Sequence, residues 1–434
     1  LPALRARLHV FANRKTGFQY DAIAASRGSA LSKVPKQQWA FATRFRRRAF
    51  GWRSQPAISR VKEAVSEIKK AARKDPLLGA EGAVLLLEKL SPALEQVDSS
   101  SGAIGSAVWH AIEELVPIIA GVPADEALRA KWMERLWIAF EADQIPYIES
   151  LGNFWGELCV SPQTASRWAD DMVPLVRMSW HPAPSLRGIY SGTSACLSAL
   201  LAAGRNEEIL ALLDLAPYKY WPFRKWGVRA LSAMGHKADA LLYAEDSRGL
   251  NDSPAAIAET CEEILLSCGM ADEAYRRYAI AANRRTTYLA TFRALAAKYP
   301  HKAATDLLRD LVAASPGEEG KWFAAAKSVG LYREAIELAT SSPCDPGTLS
   351  RAARDLAVTE PRFAVEAGLA ALRWLAEGYG YEITNLDVRD AYRHTMQAAT
   401  NAGCAEQVLE RIRALVAAER RGDRFVGKAL GLGS

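Results

Sequence analysis

The chain has 434 residues, half of them apolar and 24% charged, with 29 Gly and 20 Pro. That composition excludes a disordered, collagen-like or low-complexity protein and predicts a large buried core. The net charge of +6 conceals an asymmetry, because residues 1–74 hold 18 Lys and Arg against only Asp21, Glu63 and Glu67, and the remainder is acidic.

The opening LPALRARLHVFANRK carries too many charges for a secretory leader, and no run of residues approaches the roughly 20 apolar positions of a membrane span. A cytoplasmic protein without membrane insertion is the expectation. Residues 1–75 read as a basic, helical N-terminal segment. Within it, residues 39–53 (WAFATRFRRRAFGWR) predict a helix with Phe41, Phe45 and Trp52 on one face and Arg44, Arg47 and Arg48 on another. Such a helix either caps the fold, its arginines paired with acids beyond residue 75, or presents Arg44, Arg46, Arg47, Arg48 and Arg53 to phosphates, since planar guanidinium groups suit oxyanions.

Residues 76–190 read as longer amphipathic helices, with apolar positions recurring at three and four. From residue 191 to 434 an internal repeat takes over. A turn residue recurs at Gly204, Gly235, Gly269, Tyr299, Gly330, Glu360 and Gly403, spaced by 31, 34, 30, 31, 30 and 43. Five places after each stands a small or branched apolar residue: Ile209, Ala240, Ala274, Ala304, Ala335, Val365 and Val408. A glycine closing one helix in the left-handed conformation, followed by a residue small enough for tight packing, is the pattern of helix-turn-helix solenoids. The fold expected is all-α, a right-handed α-solenoid of TPR-like repeats behind a helical N-terminal region. The long last spacing predicts an extra helix or loop near residues 377–387.

Inside the array, residues 217–229 (PYKYWPFRKWGVR) concentrate aromatic and basic side chains. Tyr218, Tyr220, Trp221, Arg224, Lys225 and Trp226 are the candidate partner-binding residues, because aromatic faces and cations together grip a peptide or a base. Inward packing of Trp226, behind Pro222 at a helix start, is the competing account.

Catalytic and metal signals are weak. Ser191 and Ser194 lack the GxSxG spacing of a nucleophile elbow, and Ser191 or Thr193 reads better as a helix cap. Two SxxK pairs, Ser59 with Lys62 and Ser66 with Lys69, follow a Lys15-Thr16-Gly17 triplet in the wrong order for a serine-lysine hydrolase. The six cysteines and six histidines show no chelating spacing, and Cys261 and Cys268 are expected to share one buried helix face. No metal and no cofactor are expected.

Residues 82–115 together with 188–213 resemble an uncharacterised bacterial all-helical family of unknown function, a similarity that extends over about residues 76–290. The resemblance implies a helical fold and brings no activity or site residue. The function expected is a non-enzymatic scaffold for a protein or peptide partner. A nucleic-acid-associated protein using the basic segment is the alternative, and a hydrolase with a non-standard serine the third.

Overall fold

A computed structural model describes residues 37–249, 253–419 and 424–432. The Lys15-Thr16-Gly17 triplet and His9 lie outside the described residues. Among those described, every regular element is helical and no strand occurs. The chain divides into two compact units, Leu1–Asp252 and Ser253–Ser434.

In the first unit the helices are α1 (Ser54–Ala72), α2 (Pro76–Leu94), α3 (Ala103–Ala120), α4 (Glu126–Glu141), α5 (Trp155–Cys159), α6 (Pro162–Ser179), α7 (Thr193–Ala202), α8 (Asn206–Leu213), α9 (Trp221–Ala233) and α10 (Lys237–Asp246). Sequence signals place their starts. Asp75, Asp125 and Ser161 each accept a backbone N–H three residues on, and Pro76 and Pro162 occupy first-turn positions where no intrahelical donor is needed. α2 is buried along most of its length, and its carboxylates Glu81 and Glu88 hold Arg135 of α4 at 2.6 and 2.7 Å.

Residues 39–53 do not form the expected helix; they run in turns, with Arg48 at a φ of 54°. Glu67 of α1 accepts the N–H groups of Ala40 and Phe41, which satisfies donors that a helix would otherwise have used. Trp39, Phe41 and Phe45 are buried as expected of an anchoring face, but Trp52 is 71% exposed and Trp39 takes its place. The Trp39 ring lies where a Cβ on Gly82 would stand, 2.3 Å from the ring, so only glycine at that point of α2 admits it.

α3 is by length and composition apolar enough to cross a membrane, which the run-length reading did not anticipate. Its Ile104, Val108, Ile112, Leu115 and Val116 are buried in the first unit.

The second unit holds α11 (Pro254–Ser267), α12 (Ala271–Ala274), a π-turn (Tyr275–Ala279), α13 (Ile280–Ala282), α14 (Tyr288–Lys298), α15 (Ala304–Ala313), α16 (Phe323–Ser328), α17 (Tyr332–Ser341), α18 (Pro346–Asp355), α19 (Pro361–Ala376), α20 (Asn385–Asn401), α21 (Ala405–Ala417) and α22 (Phe425–Leu430). α19 is its most buried helix and packs on α17, α18, α20 and α21. In both units helices pack on the next helix and often on the next but one, as α7 does on α8 and α9, and α18 on α19 and α20.

The expected glycine turns are present. Gly204, Gly235, Gly269, Gly330 and Gly403 all have φ between 69° and 83°. At Gly269, the N–H of Met270 reaches Leu265 O and that of Gly269 reaches Leu266 O, the crossed pair that uses up the last carbonyls of a helix; the other four turns repeat it. The following Ile209, Ala240, Ala274, Ala335 and Val408 are buried. The pattern departs at Tyr299, where φ is −122° and the next helix begins only at Ala304, so Leu307 and Leu308 carry the burial assigned to Ala304. Residues 378–384 form a loop rather than an added helix. Cys268 caps α11 and is exposed, while Cys261 is buried, so the two do not share a buried face.

Candidate functional site

The aromatic and basic stretch 217–229 is folded largely onto itself. Trp221 and Trp226 are 8% and 2% exposed, so these two do not offer a surface. Arg224 donates to Ser247 Oγ at 2.7 Å and to Asp246 at 3.2 Å, and lies 3.8 Å from the centre of the Tyr243 ring. Lys225 donates to Asn153 Oδ1 at 2.8 Å, and burial, helped by the nearby Arg229 charge, pushes its pKa down to about 8. Of the six candidates only Tyr218 and Tyr220 are exposed, at the outer end of a ring ladder that passes through Phe223 to Trp180.

The five arginines proposed for phosphate contact are divided. Arg47 and Arg48 both reach Glu95, at 2.9 and 2.8 Å, and Arg44 reaches Glu63 at 3.2 Å. The two guanidinium groups hold the Glu95 carboxyl below the usual range. Arg46 and Arg53 make no ion pair among the described residues. Beside this segment α1 and α2 border an open recess of about 700 Å³, lined by Lys62, Lys70 and Lys74 but also by Glu63 and Glu67.

Ser191 and Thr193 do not cap α7; Gly192 stands at the cap position, and the Thr193 hydroxyl donates back to Tyr190 O. Among the described residues no group of three His, Cys, Asp or Glu side chains is placed to hold a metal.

A second cavity, of about 550 Å³, lies wholly within the second unit. Its lining comes from the π-turn, from the Arg284–Thr286 connection, from the start of α14 and from residues 311–322. The π-turn interrupts one continuous run of helix from Ala271 to Ala282, and such wide turns recur at functional sites. Tyr275 donates to Asp310 at 2.6 Å, and desolvation, then that carboxylate, raises its pKa. Tyr288 donates to Glu318, which also accepts Lys321 Nζ at 2.5 Å. The Lys321 ammonium is the chief cause of the lowered Glu318 pKa.

Two adjacent arginines, Arg284 and Arg285, complete the lining, and a buried network fixes the backbone that carries them. Glu262 is fully buried on α11 and accepts from Asn283 Nδ2 at 2.7 Å, Tyr299 OH at 2.5 Å and Lys298 Nζ at 2.5 Å. Asn283 directly precedes the arginines and also donates to Ala279 O. On their other side the Arg285 N–H donates to Thr291 Oγ1 at 2.9 Å, and Thr291 is itself buried. Sequence reasoning missed this site. The signal was present in residues 275–288, YRRYAIAANRRTTY, where two Arg-Arg pairs and three tyrosines follow one another, though less densely than in the stretch at 217–229. Compared with known proteins, the chain matches no family model and no curated protein sequence.

Proposed function

We propose that the chain is a non-enzymatic helical-repeat scaffold, a TPR-like right-handed α-solenoid, that holds a protein or peptide partner. Recurring glycine turns and packing between alternate helices support the repeat arrangement, because each helix pair buries its apolar face only against its neighbours. The observation that carries the binding reading is the cavity bordered by Arg284, Arg285 and Tyr288, a concave site of ligand size with few but convergent polar groups.

The test is site-specific photo-crosslinking in extract of cells that express the full chain. A benzophenone side chain at Ala281, on the lining, is expected to give one discrete protein adduct, whereas the same group at the exposed Leu242 gives none. Identical adducts at both positions, or none at Ala281, would remove the reading.

Nucleic-acid association through Arg46, Arg53 and the lysines of the α1 recess is the second reading, favoured by the exposed cations there. It requires affinity for duplex DNA to fall with salt at a log-log slope of about −0.9 per phosphate contacted. Arg44, Arg47 and Arg48 weigh against it, since each already has a carboxylate partner.

A further inference from the structure

The cavity of the second unit has an unbalanced charge. Arg276 and Arg277 both lean on Glu273, at 2.5 and 3.7 Å. Glu318 is the single acid on the lining, and its charge is engaged by Lys321. Arg284 and Arg285 are exposed, and among the described residues neither guanidinium pairs with a carboxylate. Two like charges on consecutive residues repel one another, and ordinary surface arginines escape by moving apart. Here Asn283 and Thr291 anchor the backbone on both sides through one buried and one part-buried hydrogen bond, so the stretch that carries the pair stays beside the cavity. The Arg284 charge is the last of the causes that lower the Glu318 pKa, after Lys321 and Tyr288, so two guanidinium forks on an anchored backbone keep most of their capacity for oxyanions brought by a ligand.

The aromatic side chains narrow the choice of ligand. The Tyr275 ring meets Tyr299 edge-on at 5.1 Å and carries Lys302 at 5.0 Å; Tyr288 meets Trp322 at 4.8 Å and carries Lys321 at 5.4 Å. Each ring thus already has two neighbours, which leaves little platform for stacking a nucleobase and favours a ligand recognised mainly through its charge. An Arg-rich lining that also includes the apolar Leu311 and Ala314 suits an extended segment whose carboxylates meet the arginines while its stems cover the apolar part of the lining.

We infer that this cavity is a receptor for an acidic peptide segment, with Arg284 and Arg285 as the carboxylate-binding pair. The inference rests on the peptide-binding reading above and names the chemistry of the partner.

The experiment measures fluorescence polarisation of a labelled eight-residue Glu-rich peptide with the full chain, against a Gln-substituted peptide of the same length and an eight-nucleotide oligothymidylate. The Glu-rich peptide is expected to bind, tightening as salt is lowered from about 150 to 50 mM. The Gln-substituted peptide and the oligonucleotide bind at least roughly tenfold more weakly. Replacing Arg284→Gln and Arg285→Gln together is expected to weaken the Glu-rich peptide by roughly tenfold. Arg309→Gln, on exposed α15 surface outside the lining, leaves binding unchanged. A melting curve shows whether the double variant remains folded, and Arg284→Lys with Arg285→Lys, which retains both charges, restores part of the binding. Equal binding of the Gln-substituted peptide, stronger binding of the oligonucleotide, or indifference to the double variant each overturns the inference. If the acidic peptide fails while Ala281 still crosslinks a discrete partner, the acidic assignment falls and the scaffold reading stands; loss of both removes the two together.

Discussion

Two stretches of the chain, 217–229 and 275–288, look alike in composition and differ in what the fold does with them. Each interleaves arginines or lysines with aromatic rings. In the first, Trp221 and Trp226 turn inward, Arg224 is spent on Asp246 and Ser247, and Lys225 is drawn into the interior at the cost of a lowered pKa. In the second, a buried hydrogen-bond network lies under Arg284 and Arg285 and leaves their guanidinium groups outside it. The difference teaches that aromatic and basic density marks a place where cations sit on rings, and that the placement of the carboxylates decides whether those cations remain free for a partner. For 217–229 the acid comes from α10; for 275–288 the nearest acids are already matched, Glu273 to Arg276 and Arg277, Asp272 to Lys302 and Glu318 to Lys321.

The strongest way to break the comparison is to remove the support of the second stretch. Lys298→Met leaves the Glu262 carboxylate fully buried with only Asn283 and Tyr299 as donors, and an uncompensated buried charge costs about 3–5 kcal/mol. Urea unfolding should therefore show a loss of that order, and acidic-peptide binding should weaken as the Arg284–Arg285 backbone loosens. Unchanged stability would mean that Glu262 is not the anchor of the site.

The next effect comes from Lys225. Its folded pKa of about 8 lies below the ordinary lysine value of 10.5, so between those values the unfolded chain binds more protons than the folded one and stability rises with pH. At neutral pH, holding the charge in that recess costs on the order of 3 kcal/mol. Lys225→Met is expected to recover part of this and to abolish the rise in stability between pH 8 and 10.5, read from denaturant midpoints at pH 7 and pH 10. A variant that is less stable at both would show that the bond to Asn153 outweighs desolvation.

Much of the fold was legible because its signals are local. Glycine turns specify their own backbone, and Asp75, Asp125, Ser161 and Asp345 announce helix starts through side chains three residues from the groups they satisfy. The failures share one cause, contacts distant in sequence. Residues 39–53 have helical periodicity, yet Glu67 captures their first donors and Gly82 opens a seat for Trp39, which overrides local preference. The cavity was equally hidden, because Glu262, Asn283 and Tyr299 become one network only when α11, α13 and α14 are brought together. Composition at 217–229 said nothing of Asp246 waiting on α10.

Gly269 offers a smaller test on the side of the cavity. It ends α11 immediately before the run that contains the π-turn, at a φ of 72°, with no heavy atom within 4 Å of where a Cβ would stand. The penalty for Gly269→Val is therefore conformational rather than steric crowding by neighbours, about 1–2 kcal/mol for a residue with a Cβ in the left-handed region. Gly269→Asn, which tolerates that region better, should lose less. Equal losses for the two variants would mean that the turn does not hold the left-handed conformation in solution.

The smallest expected effect belongs to Tyr218 and Tyr220, and it tests the other half of the comparison. Tyr218 is 65% exposed and Tyr220 38%, and their rings meet edge-on at 6.2 Å as the outermost members of the ladder that ends on Trp180. Truncating Tyr218 to Ala removes a ring that already lies mostly in water, so unfolding should shift by no more than about 0.5 kcal/mol. Tyr220→Ala should cost somewhat more, since its ring lies 5.0 Å from Phe223 and an aromatic pair contributes about 0.5–1.5 kcal/mol beyond simple burial. Neither change should alter binding of the acidic peptide or the Ala281 crosslink, because the remaining candidates at 217–229 are buried or engaged with Asp246, Ser247 and Asn153. If Tyr218→Ala instead abolished the crosslink with the melting curve intact, the exposed tyrosines would be contacting the partner. The two stretches would then act together in recognition, and the distinction between engaged and free cations would no longer separate structure from function.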